Sequence, residues 1–363
     1  MKPIELIVGT YTHTNSLGIY WVKFDPDSMS MDTLGIATGI QNPTFLALHP
    51  NGSNVFAVSE IPAGLVYSYQ IGEDGNLILQ GVEETGGAGP CHIELNRDGT
   101  SAVVSNYEGG SAAFFEIAPD GNIKKSGSVI QHYGSSVDGI RQTKPHVHSA
   151  IYSLEKDEVF VADLGMDKIV SYGIKRTNNG IIPDRKRVKS TGIGFGPRHF
   201  CWHPSGRYLY CINELDSSIS TFIHAADGFL TQLQTISTIP RALSRQNTCA
   251  DIHISPDGKY VYGSNRGHDS IAIFAVDSLA GELTFKVAIP SGGHTPRNFA
   301  LTPDGRFIFV ANQDSNNIVI FERDATTGLM NPTGVETQIP LPVCIKFLPD
   351  PAITSVSYTH LTL

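Results

Sequence analysis

Histidine, arginine and glutamate side chains stand at corresponding places in a repeated pattern of this sequence. They are His146 and His148 in KPHVHSA, Arg198 and His199 in GPRHF, Glu214 in NELDSS, Arg266 in SNRGHD, and Arg297 and Asn298 in TPRNF. A histidine or glutamate can take a proton from water, and an arginine can stabilise negative charge that develops on an oxygen or hold a phosphate. The set therefore suits a hydrolytic reaction on an anionic small molecule.

A block of about fifty residues recurs along the chain and positions these side chains. Its best copy, HPSGRYLYCINELDSSISTF, runs from His203 to Phe222, and a worn copy starts at Ser153. The anchoring glycines lie 47 to 54 residues apart once the worn copy is counted; they are Gly52, Gly99, Gly206, Gly258 and Gly305. A repeat of this period that is rich in strand-forming residues is typical of a β-propeller.

Each copy predicts four strands, which make one blade. A Pro-Asp-Gly or Pro-Ser-Gly turn joins an inner strand, such as Phe200 to Trp202, to a second strand, such as Tyr208 to Ile212. A polar loop and a further strand, Ser218 to Phe222, follow. Residues 4–24 match the second half of a repeat, and residues 342–350 match the first half. We therefore expect an all-β, seven-bladed β-propeller, closed by pairing the N-terminal strands with a C-terminal inner strand.

Composition fits one large β domain and limits its partners. The chain has 363 residues, 36 glycines, 17% charged residues and a net charge of −9. The repeat predicts a single domain over residues 1–350, although length alone would suggest two. The negative charge argues against nucleic acid, and no segment resembles a membrane span or a signal peptide. We expect a monomer or weak homo-oligomer that acts on a small molecule without a cofactor or metal.

The cysteines and the end of the chain give two further expectations. The five cysteines stand singly without a CxxC motif, which favours reduced, buried thiols and a cytoplasmic location; they are Cys91, Cys201, Cys211, Cys249 and Cys344. Residues 351–363 match no part of the repeat. We interpret Thr354 to Leu363 as an appended, non-native tail, with an edge strand on the split blade as the alternative.

Aligning the copies on their turns gives two rows of residues. The first row, at the start of the inner strands, contains Phe45, His92, His148, His199, Asp251, Asn298 and Cys344, preceded by Thr44, Cys91, Val147, Arg198, Ala250, Arg297 and Val343. The second row, after the second strands, contains Thr10, Glu60, Asn106, Asp163, Asn213, Asn265 and Asn312, followed by Tyr11, Ile61, Tyr107, Leu164, Glu214, Arg266 and Gln313. Both rows are predicted to meet at one open mouth of the central channel, because a turn occupies the other end of these two strands.

Not every residue in these rows needs a functional explanation. Asn and Asp after a strand usually cap a turn, and a single histidine such as His92 is more often structural. Converging charges are different, because burying several of them is costly unless they pair or bind a ligand. His146 and His148 alone are a weak signal for a metal, since no third ligand accompanies them.

Three segments carry a resemblance to a known family. GPRHFCWHPSGRYLYCINELDSSISTF, CADIHISPDGKYVYGSNRGHDSIAIF and HTPRNFALTPDGRFIFVANQDSNNIVIF resemble the seven-bladed lactonase family that includes the propeller-type 6-phosphogluconolactonases. The family is also similar to carboxymuconate-cyclising enzymes, whose proposed site uses a histidine, two arginines and a glutamate. Carried over by motif, the resemblance implies that these catalytic residues are His148, Arg198, Glu214 and Arg266.

The resemblance implies hydrolysis of a sugar lactone, with 6-phosphogluconolactone converted to 6-phosphogluconate in the pentose phosphate pathway. Either His148 or Glu214 would be the base, and Arg198 or Arg266 the oxyanion partner. The substrate-binding residues would be His146, His199, Arg297 and Asn298. Clustered arginines would also attract an anionic substrate to an acidic protein.

Three other functions remain open at this stage. A carboxymuconate-type lactone cycloisomerase would use the same residues. A metal-dependent lactonase would bind Ca²⁺ through oxygen ligands; the candidate ligands are Glu60, Asn106, Asp163 and Asn213. A non-catalytic interaction scaffold would be expected to expose apolar or aromatic residues at the mouth, whereas the rows show charges.

Overall fold

Seven four-stranded antiparallel sheets form the ring of a β-propeller in this computed structural model. The structure describes residues 2–72, 75–124, 127–177, 180–240 and 246–349. The strands of blades 1 to 3 are β4 to β15: Leu46–Leu48, Asn54–Ser59, Leu65–Ile71, Leu77–Glu84, Pro90–Leu95, Ser101–Asn106, Ser111–Glu116, Ser128–Gln131, Val147–Tyr152, Glu158–Asp163, Lys168–Thr177 and Gly180–Ser190. The strands of blades 4 to 6 are β16 to β27: Pro197–Trp202, Tyr208–Asn213, Ser218–His224, Leu230–Ser237, Thr248–Ile254, Tyr260–Arg266, Ser270–Val276, Leu283–Pro290, Pro296–Leu301, Phe307–Asn312, Asn317–Arg323 and Met330–Gln338.

Blade 7 combines strands from both ends of the chain and closes the ring. Its strands are β1 to β3 and β28: Ile4–Thr10, Ile19–Asp25, Ser30–Ala37 and Pro342–Phe347. The inner strand β28 pairs with β1 in antiparallel register, with Leu6 opposite Phe347 and Val8 opposite Ile345. The predicted fold, blade count and closure are therefore confirmed. The proposed tail lies outside the described residues, and the boundary at residue 350 stays a prediction.

The turn between the first and second strands explains the anchoring glycines. Gly258 adopts a positive φ of 72° and donates its N–H to the carbonyl of Ser255 at 2.8 Å. Only glycine adopts that conformation without steric cost. The inner strands also begin earlier than the apolar runs suggested, so β16 starts at Pro197 and not at Phe200. This extension places the Arg198 and His199 side chains on the strand itself.

The hydrophobic core lies between neighbouring blades. Phe24 of blade 7, for example, meets Phe307 and Phe309 of blade 6 edge-on, with ring centroids 5.3 and 5.4 Å apart. Tyr210 of blade 4 reaches across to donate its hydroxyl to the carbonyl of Gly281 in blade 5 at 3.0 Å. Such contacts fix each blade against the next, so residues from different blades keep a constant separation at the mouth. The one helix of the described residues is the 3₁₀ turn Leu164–Met166, which is too short to cross a membrane.

We predict that removing residues 342–363 destabilises the ring far more than removing residues 354–363. The longer deletion removes β28, whose Val343, Cys344 and Ile345 are buried. Losing several such side chains costs a few kcal/mol, enough to lower the melting temperature by about 10 °C or more. Thermal melts followed by circular dichroism would measure both truncations. A large loss of stability in the shorter deletion would contradict the interpretation of the tail.

Candidate active site

A β-bulge at the start of an inner strand presents the key side chain of four blades. In blade 4, Pro197 pairs with Asn213 and His199 pairs with Ile212, which leaves Arg198 as the extra residue. The same interruption occurs in blades 2, 3 and 6, where the extra residues are Cys91, His148 and Arg297. A bulge turns the unpaired residue away from the regular pleat. The bulges thereby direct His148, Arg198 and Arg297 towards the mouth of the channel.

This register corrects the row positions of His148 and Glu60. His148 corresponds to Arg198 and not to His199, because Ser149 holds the position that pairs beyond the bulge. Glu60 follows β5, whose last residue Ser59 matches the strand-ending asparagines. Each residue is therefore displaced by one from its predicted row. For His148 the reason is plain, since the worn copy lacks the glycine that anchors the alignment.

The strand-ending amides act as caps. Asn213 donates to the hydroxyls of Ser218 and Ser220 at 2.9 Å each, and Asn265 donates to the carbonyl of Thr238 at 3.3 Å. Both amides are fully buried. Their amide nitrogens hold the loops that face the mouth, as the capping interpretation of this row requires.

Glu214 is the centre of the candidate site. Its carboxylate lies 3.0 Å from Arg198 Nε, 3.1 Å from Arg266 Nη2 and 2.5 Å from Arg141 Nη2. These residues come from blade 4, blade 5 and the connection between blades 2 and 3. Arg198 also donates to the carbonyl of Ala250. The two predicted arginines and the predicted glutamate are thus brought into direct contact.

The electrostatics of this cluster keep Glu214 ionised. Burial alone would raise its pKa, but the three guanidinium groups outweigh that effect and lower the pKa to about 2. Burial and the neighbouring cations lower the pKa of Arg198 to about 10. A carboxylate with so low a proton affinity is a poor base, and in this structure it contacts three cations.

His148 lies beside the cluster, with Nε2 at 3.8 Å from Glu214 Oε2. Burial first, and then the charge of Arg198, hold the pKa of His148 well below 6.5. The imidazole is therefore neutral at pH 7 and has a lone pair that can accept a proton. His146 stacks on Tyr107 at the same rim, with ring centroids 4.4 Å apart.

Two predicted binding residues are occupied in the channel and not at the mouth. His199 Nδ1 lies 2.8 Å from Asp251 Oδ1, and its Nε2 lies 3.2 Å from Arg198 Nη1. Asn298 donates to Asp251 and accepts the N–H of Ile345 at 2.7 Å. Both side chains are buried, and so is Arg198, which was expected at an open surface. These contacts support Arg198, which lies against His199.

In the opposite half of the mouth, a tyrosine hydroxyl links an arginine to a glutamate. Arg297 donates to the hydroxyl of Tyr11 at 3.0 Å, and that hydroxyl donates to Glu60 Oε1 at 3.1 Å. Thr44 also donates to Glu60, at 2.6 Å. Burial raises the pKa of Tyr11 to about 12, so the phenol stays protonated and keeps this link intact. Arg297 is thus at the mouth, as predicted.

The mouth as a whole has an excess of positive charge. Its four arginines, Arg141, Arg198, Arg266 and Arg297, face two carboxylates, Glu60 and Glu214, which leaves two cations uncompensated. The whole chain, by contrast, has a net charge of −9. Arg266 Nε is also buried without a hydrogen-bond partner among the described residues. This arrangement suits an anionic ligand.

Arg141 is the functional candidate that the sequence rows missed. It lies outside the repeat, in residues 132–146, so no alignment of blades could include it. The one available signal was the length of this connection, which is unusual between successive blades and is often functional when it occurs. Across the described residues, no group of three His, Cys, Asp or Glu side chains is arranged to hold an ion.

Comparison with known proteins finds similar lactonases. The 6-phosphogluconolactonase of Bacillus subtilis (strain 168) is 33% identical over 94% of this chain and 97% of its own length. The 6-phosphogluconolactonase of Formosa agariphila is 38% identical over 82% of this chain and 86% of its own length. The solved structure of a periplasmic gluconolactonase from Pseudomonas aeruginosa has a TM-score of 0.87 and 30% identity to this chain. The match covers 96% of this chain and all of that one.

The family model described as "Lactonase, 7-bladed beta-propeller" matches residues 5–347. That range spans every blade, from the N-terminal strand β1 to the closing strand β28. The chain therefore belongs to the seven-bladed β-propeller lactonase family.

Proposed function

We propose that this protein hydrolyses a phosphorylated sugar lactone, converting 6-phosphogluconolactone to 6-phosphogluconate. The observation that carries the proposal is the excess of two positive charges around an ionised carboxylate and a neutral histidine, at the mouth of an acidic protein. A phosphate carries nearly two negative charges at neutral pH. The names of the Bacillus and Formosa relatives support the same substrate.

His148 is the base in this proposal, and Glu214 is a positioning residue. Neutral His148 takes a proton from water as the water oxygen bonds to the lactone carbonyl carbon. The carbonyl oxygen becomes an oxyanion that Arg198 and Arg266 stabilise. When the intermediate collapses, the ring C–O bond breaks, and the ring oxygen takes the proton from the imidazolium of His148. Glu214 remains ionised throughout and holds the two arginines.

The remaining predicted residues have supporting roles. His146 and Arg297 stand at the rim, where they can contact the substrate directly. His199 and Asn298 act indirectly, since Asp251 occupies both and Arg198 rests on His199. We propose no metal or cofactor for this reaction. Of the candidate calcium ligands, the carboxylates of Glu60 and Asp163 are engaged by neighbouring protein groups. Asn106 and Asn213 donate through their amide nitrogens, and their buried Oδ1 atoms have no partner among the described residues.

Location and assembly belong to the same proposal. A cytoplasmic enzyme, monomeric or weakly homo-oligomeric and without nucleic-acid or membrane partners, fits the five cysteines, none of which forms a disulfide. The Pseudomonas relative is described as periplasmic. A cytoplasmic location for this chain would therefore mean that location varies within the family. The same relative makes unphosphorylated gluconolactone the second candidate substrate.

Turnover of freshly generated 6-phosphogluconolactone by the purified protein tests the function. Glucono-lactone and muconolactone serve as parallel substrates, and spontaneous hydrolysis is subtracted. We expect the phosphorylated lactone to have the highest kcat/KM, with no loss of activity after dialysis against a chelator. Preference for muconolactone would favour the cycloisomerase. Loss of activity that Ca²⁺ restores would favour the metal-dependent enzyme.

Arg266→Ala is predicted to reduce kcat/KM by roughly 100-fold, because it removes an oxyanion contact. Arg266 is partly exposed and has one backbone partner, the carbonyl of Cys249 at 2.8 Å, so its loss should affect folding little. The more deeply buried Arg198 contacts both Ala250 and His199. Arg198→Ala is therefore expected to lose both activity and some stability. Steady-state kinetics and thermal melts on each variant separate the two effects. Wild-type turnover in Arg266→Ala would refute this assignment.

The rate is predicted to be independent of pH from about 8 down to 6.5. The active form of His148 is neutral, and protonation inactivates it only as pH falls through its lowered pKa, well below 6.5. Glu214, with a pKa of about 2, stays ionised across this range. A kcat profile on wild type, corrected for spontaneous hydrolysis, gives the test. An acid limb centred between pH 6.5 and 7 would exclude His148 in this environment as the base.

A further inference from the structure

The connection between blades 2 and 3 brings one cation over the mouth. Arg141 Nη2 donates to Glu214 Oε1 at 2.5 Å and to the hydroxyl of Tyr107 at 3.2 Å. Its Nε and Nη1 donate to no other residue in the described part of the chain. The Arg141 side chain is 39% exposed, against 14% for Arg266 and 3% for Arg198. Arg141 is therefore the outermost guanidinium of the cluster, and it has N–H donors that are free to bind a ligand.

A buried carboxylate on blade 3 fixes this connection. Asp167 accepts from Ser136 Oγ at 2.5 Å and from Gln142 Nε2 at 2.7 Å, both on the connection. It also accepts the N–H groups of Gly194 and Gly196, each at 2.7 Å, from the loop that leads into blade 4. One side chain thus ties together the segment that bears Arg141 and the segment that leads to Arg198.

The same network reaches the partner of Arg141. The carbonyl of Gly196 accepts the N–H of Glu214 at 2.7 Å, and Asp138 accepts the N–H of Arg141 at 2.9 Å. The backbones on both sides of the Arg141–Glu214 pair are therefore fixed by short hydrogen bonds. A cation held in this way needs little reorganisation to bind a ligand, which favours affinity.

The two halves of the mouth differ in charge. Arg297 is balanced by Glu60 through Tyr11, so that half is neutral overall. Glu214 balances only one of its three arginines, so the excess of two positive charges lies on the side of Arg141. A dianionic group is therefore attracted to this side, and Arg141 is the cation that it meets first.

We propose that Arg141 binds the phosphate of the substrate and sets a preference for phosphorylated over unphosphorylated lactones. This inference rests on the lactonase function proposed above and adds to it the residue that discriminates between the two lactones. Nη2 keeps its contacts with Glu214 and Tyr107, while Nη1 donates to a phosphate oxygen. If Arg141 served only to neutralise Glu214, its loss would affect both classes of lactone equally.

Kinetics of Arg141→Ala and Arg141→Lys on 6-phosphogluconolactone and glucono-lactone test this inference. A hydrogen bond to a charged group contributes enough to change affinity by about 10- to 100-fold. We expect Arg141→Ala to raise KM for the phosphorylated lactone by that factor, and to change KM for glucono-lactone and kcat for both lactones much less, by under about threefold. Arg141→Lys should recover part of the affinity, because it retains the charge but not the planar donor group.

Lys144→Ala is the matched control. Lys144 lies on the same connection, is 51% exposed and pairs with Glu108 at 3.3 Å, away from Glu214. The Lys144→Ala variant removes the same charge from the same segment and should leave KM for both lactones unchanged. Equal changes for the two lactones in Arg141→Ala, or the same selective change in Lys144→Ala, would overturn the inference.

Calorimetric titration with 6-phosphogluconate and gluconate separates this inference from the proposed function. If wild type hydrolyses neither lactone, the proposed function fails. Binding of 6-phosphogluconate that is about 10-fold or more weaker in Arg141→Ala, with gluconate unchanged, would still support the phosphate contact. Equal binding of 6-phosphogluconate by wild type and the variant, or no binding by wild type, would overturn it. Melting temperatures confirm that each variant is folded.

Discussion

The mouth of this propeller depends on the buried carboxylate of Glu214. Three guanidinium groups lie within 3.1 Å of its two oxygens, and two of them belong to different blades. Without this negative charge, the cations would repel one another in a place with little access to water, at a cost of several kcal/mol. Glu214 therefore makes it possible for cations to stand close together and still have binding capacity left for a ligand.

Backbone geometry supplies the side chains that meet there. Bulges turn His148 and Arg198 out of the inner strands, and Glu214 and Arg266 lie at or just after the ends of second strands. Each blade contributes one or two residues, so no blade contains a site by itself. The site exists because the ring holds these contributions at fixed separations, through the packed interfaces between blades.

The repeat made the fold predictable, and the same property limited the prediction of the site. Seven blades and their closure follow from hydrophobic alternation and turn glycines, which are local features. The one-residue displacement of His148 arose where the repeat is worn and the bulge leaves no mark in the sequence. Burial of Arg198 also could not be predicted, because it depends on blade 5 lying against blade 4. Arg141 lies outside the repeat, and its contact with Glu214 is a property of the assembled ring.

The closing strand β28 also has a consequence for how the molecule comes into being. Among the twenty-eight strands in the described part of the chain it is the last in sequence, yet it pairs with the first. Until then, the edge of β1 has no partner, and blades 6 and 7 cannot complete their interface. A nascent chain can fold blades 1 to 6 in order of synthesis, but the pair of Tyr11 and Arg297 forms only once the two ends meet. Competence to bind substrate is thus acquired only after strands of all seven blades have been synthesised.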